Sequence, residues 1–449
     1  MIFSDRVRLS GTLLLRSDLH VGTGAVVQPD ITRSQDAASI QIAGITMGVS
    51  IYLNMAEAPF IPATSLKGAL KARARKIADF DVAKVFGSIK HTETESGQVG
   101  RLWIEGAALV KAAVVDTSET SRSKATHVTH HVAIEPQSGA AAPNKLFARE
   151  IVNAGSTFGF SATWFGSLED DDLKVVLGLL LGGLSMGRGS TKGHGTVNLV
   201  PDSLRIEQGA ARVGALSFTL LPAEEAKAYL KALATPAVPA HCIPLTLTCD
   251  GPVMSISAQS DARTDRGNTL SPITREQGFH LQPESLYGAL RSRARWIAEV
   301  EQRRELGVLT DERVDQSDKP LMETSTDIKK ARPLSAVERL FGVTGWRGRL
   351  SLRELNSAGT GERIEMTSTS IDRFTGGGRD GYLFNEVAFD KAELKVELQV
   401  EYAGEDDEDK NKDAISFLER LVDDLVVHGI DLGHGAAKGF GWFKVERGE

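Results

Sequence analysis

GRGSTKGHGTV, residues 187–197, and LGHGAAKGFGWFKV, residues 432–445, decide how this chain is built. Gly187, Gly189, Lys192, Gly193 and Gly195 of the first recur as Gly433, Gly435, Lys438, Gly439 and Gly441 of the second, all at one offset. Glycines and a lysine kept together in this way mark an internal repeat. Other segments recur in the same order. ATSLKGALKARARKIA (63–78) returns as PESLYGALRSRARWIA (283–298), and KVFGS followed by GRLWIEG returns as RLFGV followed by GRLSLRE. VAIEPQSGAAAPNKLFARE (132–150) returns as TSIDRFTGGGRDGYLFNEV (369–387), with Ile134 and Phe147 spaced as Ile371 and Phe384 are. The openings, LLLRSDLHV and LTLTCDGPV, match more weakly.

Two homologous units follow, residues 1–212 and 240–449, joined by a linker at 213–239 that reads as a short helix and then a Pro/Ala tether. The second unit carries a polar insertion at about 302–332, poor in aromatics, whose composition is that of a partly disordered segment. Within the first unit, RVRLSGTLLLRS alternates as a half-buried strand does. SLKGALKARARKIADF has Leu66, Leu70 and Ile77 near helical spacing, with Ser65 as the expected cap. GRLWIEGAALV and GSTFGFSATWFG read as strands. HHVAIEPQSGAA and KLFAREIV form an extended hairpin around a Gly/Ala/Pro-rich tip, and LKVVLGLLLGGLSM reads as an apolar helix entering the glycine loop. The fold class is α+β: a mostly antiparallel sheet with helices on one face, in two copies.

Composition narrows the function classes. The chain has 449 residues, 41% apolar and 25% charged, as an ordinary globular protein does. No apolar run nears the roughly 20 residues of a membrane span, so no membrane partner is expected. The opening, MIFSDRVRLSGTLLL, lacks a signal-peptide pattern. Cys242 and Cys249 have no metal-type spacing, which fits a reducing cytoplasm with no disulfide framework and no zinc site. The formal net charge of −7 argues against indiscriminate nucleic-acid binding and confines any polyanion contact to a local basic groove.

Three segments qualify. The glycine loop (Gly187, Arg188, Gly189, Lys192, His194 and, in the second copy, Gly433, His434, Gly435, Lys438) is neither a Walker A loop nor a dinucleotide fingerprint, because its spacing fits neither. A tight turn explains glycines alone, whereas a lysine kept in both copies suits a phosphate held by backbone amides and a cation. The basic helix offers Ser65, Lys67, Lys71 and Arg73, echoed by Ser285, Arg291 and Arg293, at a helix N-terminus that attracts phosphate. His127, His130 and His131 precede the hairpin tip; without further ligands they read as surface histidines, not a zinc site.

Taken in order, LHVGTG, PFIPATSLKGALKARAR, the VFGS element, the IEPQSG and IDRFTGG hairpins and the terminal glycine loops resemble the RAMP superfamily, and within it the backbone subunits of type III CRISPR complexes. Two fused units look most like the double subunit of type III-D. The resemblance implies two tandem RRM-like, ferredoxin-like domains, each with a long thumb hairpin. It implies CRISPR RNA, target RNA and other type III subunits as partners: further backbone units, the large polymerase-like subunit and the small subunit. Each thumb would wedge into the guide–target duplex at about every sixth base, while base pairing reads the target. The family's catalytic group is an aspartate between the first strand and the basic helix. Direct matching places Gln28 and Leu270 there, and the nearby carboxylates Asp30 and Asp265 are the catalytic candidates, with Asp36 and Asp261 also close. Mg²⁺ is expected only if these aspartates cut RNA. The rival readings are a CRISPR RNA-processing endoribonuclease using His20, a non-catalytic guide scaffold, and a nucleotide-binding enzyme built on one glycine loop.

Overall fold

A computed structural model of the chain describes residues 5–27, 48–88, 97–113, 125–135, 141–212, 215–236, 238, 240–255, 262–264, 267–270, 274–275, 278–306, 334–356, 361–401 and 408–448. It divides into two compact units, one of residues 1–190 and 194–239, the other of residues 191–193 and 240–449.

The first unit opens with β1 (Asp5–Leu15), β2 (Gly22–Val27), β3 (Gly48–Ile51) and β4 (Phe60–Ile61), followed by helices α1 (Ala63–Ala74) and α2 (Val82–Phe86). Short strands β5 (Leu102–Ile104) and β6 (Ala107–Lys111) precede a long hairpin, β7 (Thr126–Ile134) and β8 (Ala141–Val152). Then come β9 (Thr157–Phe165), α3 (Asp171–Leu181), β10 (Leu184–Ser185), the glycine loop and β11 (Thr196–Leu199). β12 (Arg205–Arg212), β13 (Ala215–Leu220) and α4 (Ala223–Ala232) complete the unit. The main sheet is antiparallel, in the order β10-β11-β1-β9-β6-β4, with β12 also on β1 and β5 also on β9. Alternation in sequence becomes alternation in burial. Val7, Leu9, Leu13 and Leu15 of β1, with Phe158, Phe160, Ala162 and Trp164 of β9, all turn to one core. Leu66 and Leu70 of α1, and Leu173, Val176, Leu177 and Leu180 of α3, cover that face. Each such side chain removed from water contributes about 1.5–3 kcal/mol.

Three local features differ from the sequence expectation. GRLWIEGAALV forms two strands, not one. Both β5 and β6 pair with β9, and at the break a Cβ on Gly106 would overlap the Phe60 ring. Helix α1 is capped by Pro62, not by Ser65, which lies in the first turn and donates its amide to the Pro62 carbonyl at 3.0 Å. Residues 215–220, inside the expected linker, pair with β12, and Ala226 and Leu230 of α4 join the apolar core.

The second unit runs β14 (Ala240–Cys249), β15 (Ala262–Thr264), β16 (Gly267–Leu270), β17 (Thr274–Arg275), β18 (Gly278–Phe279), α5 (Pro283–Leu306) and α6 (Ala336–Phe341). It continues through β19 (Leu350–Asn356), the hairpin β20 (Glu362–Ile371) and β21 (Gly378–Asp390), β22 (Ala392–Glu401), α7 (Glu408–His428), β23 (Ile430–Asp431) and β24 (Trp442–Arg447). Its sheet is ordered β19-β22-β14-β24-β23. The sequence repeat is therefore also a repeat of pairing. β14 lies between β22 and β24 as β1 lies between β9 and β11, and β16 runs parallel to β21 as β3 does to β8. α5 covers the first residues of the polar insertion as far as Leu306; the remainder falls outside the described residues.

A candidate nucleic-acid interface at the glycine loop

The two glycine loops share one hydrogen-bonded frame. In the first, the Met186 amide donates to Gly195 O at 3.0 Å, Arg188 N to His20 O at 2.9 Å, His194 N to Gly189 O at 3.2 Å and Gly195 N to Asp18 O at 2.7 Å. In the second, Leu432 N donates to Gly441 O at 2.8 Å, His434 N to Met254 O at 2.6 Å, Phe440 N to Gly435 O at 3.2 Å and Gly441 N to Pro252 O at 2.9 Å. Every bond has its counterpart at the matched position. Gly195 (φ 71°) and Gly441 (φ 72°) show why glycine is required. Both sit in the left-handed region, and a Cβ there would strike the carbonyl of Met186 or of Leu432. The glycines thus build a rigid turn that ties the loop to the segment after the first strand of its unit.

In the first unit, basic side chains gather at this turn. His20, Arg149 and His194 are buried, and Arg188 stands exposed on the loop. His20 Nδ1 donates to the Glu150 carbonyl at 2.7 Å, which fixes the tautomer and leaves Nε2 as the variable proton site. Burial lowers the His20 pKa. The Glu150 hydrogen bond opposes that shift, while the positive charges of Arg149, Arg188 and His194 each add to it. Arg149 comes from hairpin strand β8 and lies over the Phe147 ring, 4.7 Å from its centroid. Two guanidinium groups and two imidazoles, drawn from the first strand's exit, the hairpin and the loop, form a setting that favours an anion.

In the second unit the loop lysine has an internal partner: Lys438 Nζ donates to the buried Glu386 carboxylate at 2.5 Å. His434 is exposed. The basic helices are also tied internally. Lys71 donates to the Gly87 carbonyl at 3.1 Å, and its counterpart Arg291 donates to the matched Gly342 carbonyl at 2.9 Å. Arg293 forks onto Asp424 at 2.5 and 2.9 Å and stacks on Trp296. Tyr287, which replaces Lys67, is buried with its phenol directed at the Phe341 carbonyl at 3.3 Å, and burial pushes its pKa up to about 12. Lys67 is half-buried, its pKa lowered by burial and then by Lys71. Arg73 and Lys192 occupy the helix and the loop as the sequence placed them, and Ser285 lies in the first turn of α5, its amide on Gln282 O at 2.9 Å.

The histidines of the hairpin are not surface groups throughout. His131 is buried, stacked on Phe147 and bonded to Thr129 at 2.9 Å, and His127 meets Asn153 at 2.5 Å. The catalytic candidates Asp30 and Asp265 lie outside the described residues, as do Gln28, Asp36 and Asp261. Among the described residues, no group of three His, Cys, Asp or Glu side chains is placed to hold a metal ion, and no helix is long and apolar enough to cross a membrane. Cys242 and Cys249 are both free thiols.

Arg149 shows what sequence reasoning missed. Arg149 was hidden in an apolar-looking strand; the signal available was its alignment with Glu386, a charge reversal within an otherwise matched hairpin. No curated protein matches the chain. The family model of the RAMP superfamily matches it twice, over residues 12–198 and again over 256–444, each match ending at or just past a glycine loop. The chain belongs to the RAMP superfamily, as two tandem RAMP repeats, and that membership implies a CRISPR-associated RNA-binding role.

Proposed function

We propose that the chain is a double backbone subunit of a type III CRISPR effector complex, most like the fused subunit of type III-D, and that it holds CRISPR RNA along its units. The observation that carries this reading is the duplicated glycine turn, backed in the first unit by His20, Arg149, Arg188 and His194. Such a site takes backbone phosphate without reading sequence: cations release counterions, and loop geometry sets position while pairing sets specificity. In the second unit the order β14, α5, β19, β22, α7, β24 and the neighbours β19-β22-β14-β24 support an RRM-like core. The β20–β21 hairpin supports a thumb. Its tip exposes Ile371 and Phe374, the latter 92% accessible, while Asp372 accepts from the Phe374 and Thr375 amides, both at 2.9 Å, and holds the turn. An exposed aromatic on a braced tip suits insertion beside a base pair. Further partners in this reading are target RNA, other backbone units and the large and small effector subunits, in the cytoplasm.

Target cleavage is proposed for the carboxylates Asp30 and Asp265, with Mg²⁺ supplying Lewis-acid chemistry at the scissile phosphate. Sequencing the RNA that copurifies with the full chain tests the binding reading. Repeat–spacer RNA supports it, and free nucleotide in its place overturns it. For cleavage, the complex is assembled on guide RNA and given target RNA with Mg²⁺. Asp30→Ala and Asp265→Ala are each expected to remove one specific cut, and unchanged cutting assigns the chain a scaffold role.

A further inference from the structure

The two loops share a frame but not a charge. The hairpin repeat sets Arg149 against Glu386, and the sheet agrees: Arg149 is registered opposite Val49 of the parallel strand β3, and Glu386 opposite Leu270 of the parallel strand β16. Both are buried, 7% and 4% exposed. One site in the fold thus holds a buried cation in one copy and a buried anion in the other. The surroundings change with it. The backbone bonds that match the loops match His20 with Met254, Arg188 with His434 and His194 with Phe440, so three basic residues become one histidine and two apolar side chains. The repeated lysine has an internal partner, and Lys438 Nζ meets Glu386 Oε1 at 2.5 Å.

We infer that in the second unit the Glu386 carboxylate stands where a phosphate is held in the first, so that the chain grips RNA phosphate at the first glycine loop and not at the second. This rests on the reading of RNA as the ligand. A buried carboxylate is costly unless it is paired, and Lys438 supplies the pair. That pairing consumes the charge a phosphate would need, and an arriving phosphate would face a carboxylate of its own sign. The two loops are therefore unlike rungs. A guide strand is pinned in the first unit and passes the second loop without a phosphate bound there.

Two substitutions that each remove one charge test this in the full chain: Arg149→Gln and Glu386→Gln. The probe is a single-stranded RNA long enough to span both units, with affinity read by fluorescence anisotropy across a salt series. Arg149→Gln is expected to weaken binding and to flatten the slope of log K against log salt by about 0.7, the value for one phosphate no longer neutralised. Glu386→Gln frees the Lys438 charge and is expected to tighten binding several-fold and steepen the slope by about the same amount. Unchanged or weakened binding by a folded Glu386→Gln chain overturns the inference while leaving RNA binding at the first loop intact. Native binding by Arg149→Gln overturns the RNA reading of the first loop itself. If Glu386→Gln does not fold, lysine acylation of the native chain decides. RNA should protect Lys192 and leave Lys438 at its RNA-free rate, and equal protection of both overturns the inference.

Discussion

Replacing Gly441 with alanine should cost far more than the same change at Gly439, two residues away in the same loop. Both glycines have positive φ, 72° and 82°, so each alanine carries the left-handed penalty of about 1–2 kcal/mol. At Gly439 nothing else lies within 4 Å of the added methyl. At Gly441 the methyl would overlap the Leu432 carbonyl oxygen, and relieving that overlap displaces the two backbone bonds Gly441 makes, to Leu432 N at 2.8 Å and to Pro252 O at 2.9 Å. Each is worth about 1 kcal/mol net, which brings the Gly441→Ala cost to about 3–4 kcal/mol. Urea unfolding followed by circular dichroism measures the difference, with the slope checked so that a midpoint shift reports stability. Equal costs at the two positions would refute the claim that these glycines are kept for a built turn.

Binding of RNA to the first unit should strengthen as pH falls. The free protein holds the His20 pKa below its ordinary 6.5, chiefly by burial, so stability present above that value is lost as pH falls through the lowered one. A bound phosphate supplies the missing negative charge and stabilises the imidazolium, so affinity should rise as pH falls towards and through the lowered His20 value, and His20→Gln should flatten the rise. A pH-independent affinity in the native chain would contradict this. Arg293→Ala should act on stability more than on RNA affinity. It strips a bidentate partner from Asp424, whose side chain is 16% exposed, at a cost of about 1–3 kcal/mol read as a lowered urea midpoint. Trimming Phe374 to alanine at the β20–β21 tip should leave stability within about 0.5 kcal/mol, as expected of an exposed side chain, while loosening guide–target duplex held by the assembled complex.

The repeat was legible because glycine is irreplaceable where φ is positive and backbone oxygens crowd the turn, so Gly187–Gly195 and Gly433–Gly441 kept their spacing. The strands were legible where burial alternates, as along Val7, Leu9, Leu13 and Leu15. The break at Gly106 was not, because the Phe60 ring that forces it comes from another strand. Basic residues were the least legible. Arg291, Arg293 and Lys438 spell positive charge in sequence, but Gly342, Asp424 and Glu386 answer them from 51, 131 and 52 residues away. Only tertiary structure separates a cation offered to a ligand from one already paired. Arg149 is inconspicuous in LFARE, and the hairpin carries it beside His20 in its own unit.

In the proposed complex, RNA lies against the first unit's glycine turn. Photocrosslinking the full chain to its guide RNA, with the adducts mapped by mass spectrometry, decides whether it does. Adducts are expected within residues 187–197 and on the β7–β8 hairpin near Arg149. Adducts that map elsewhere in the first unit, with none in those two segments, would contradict it.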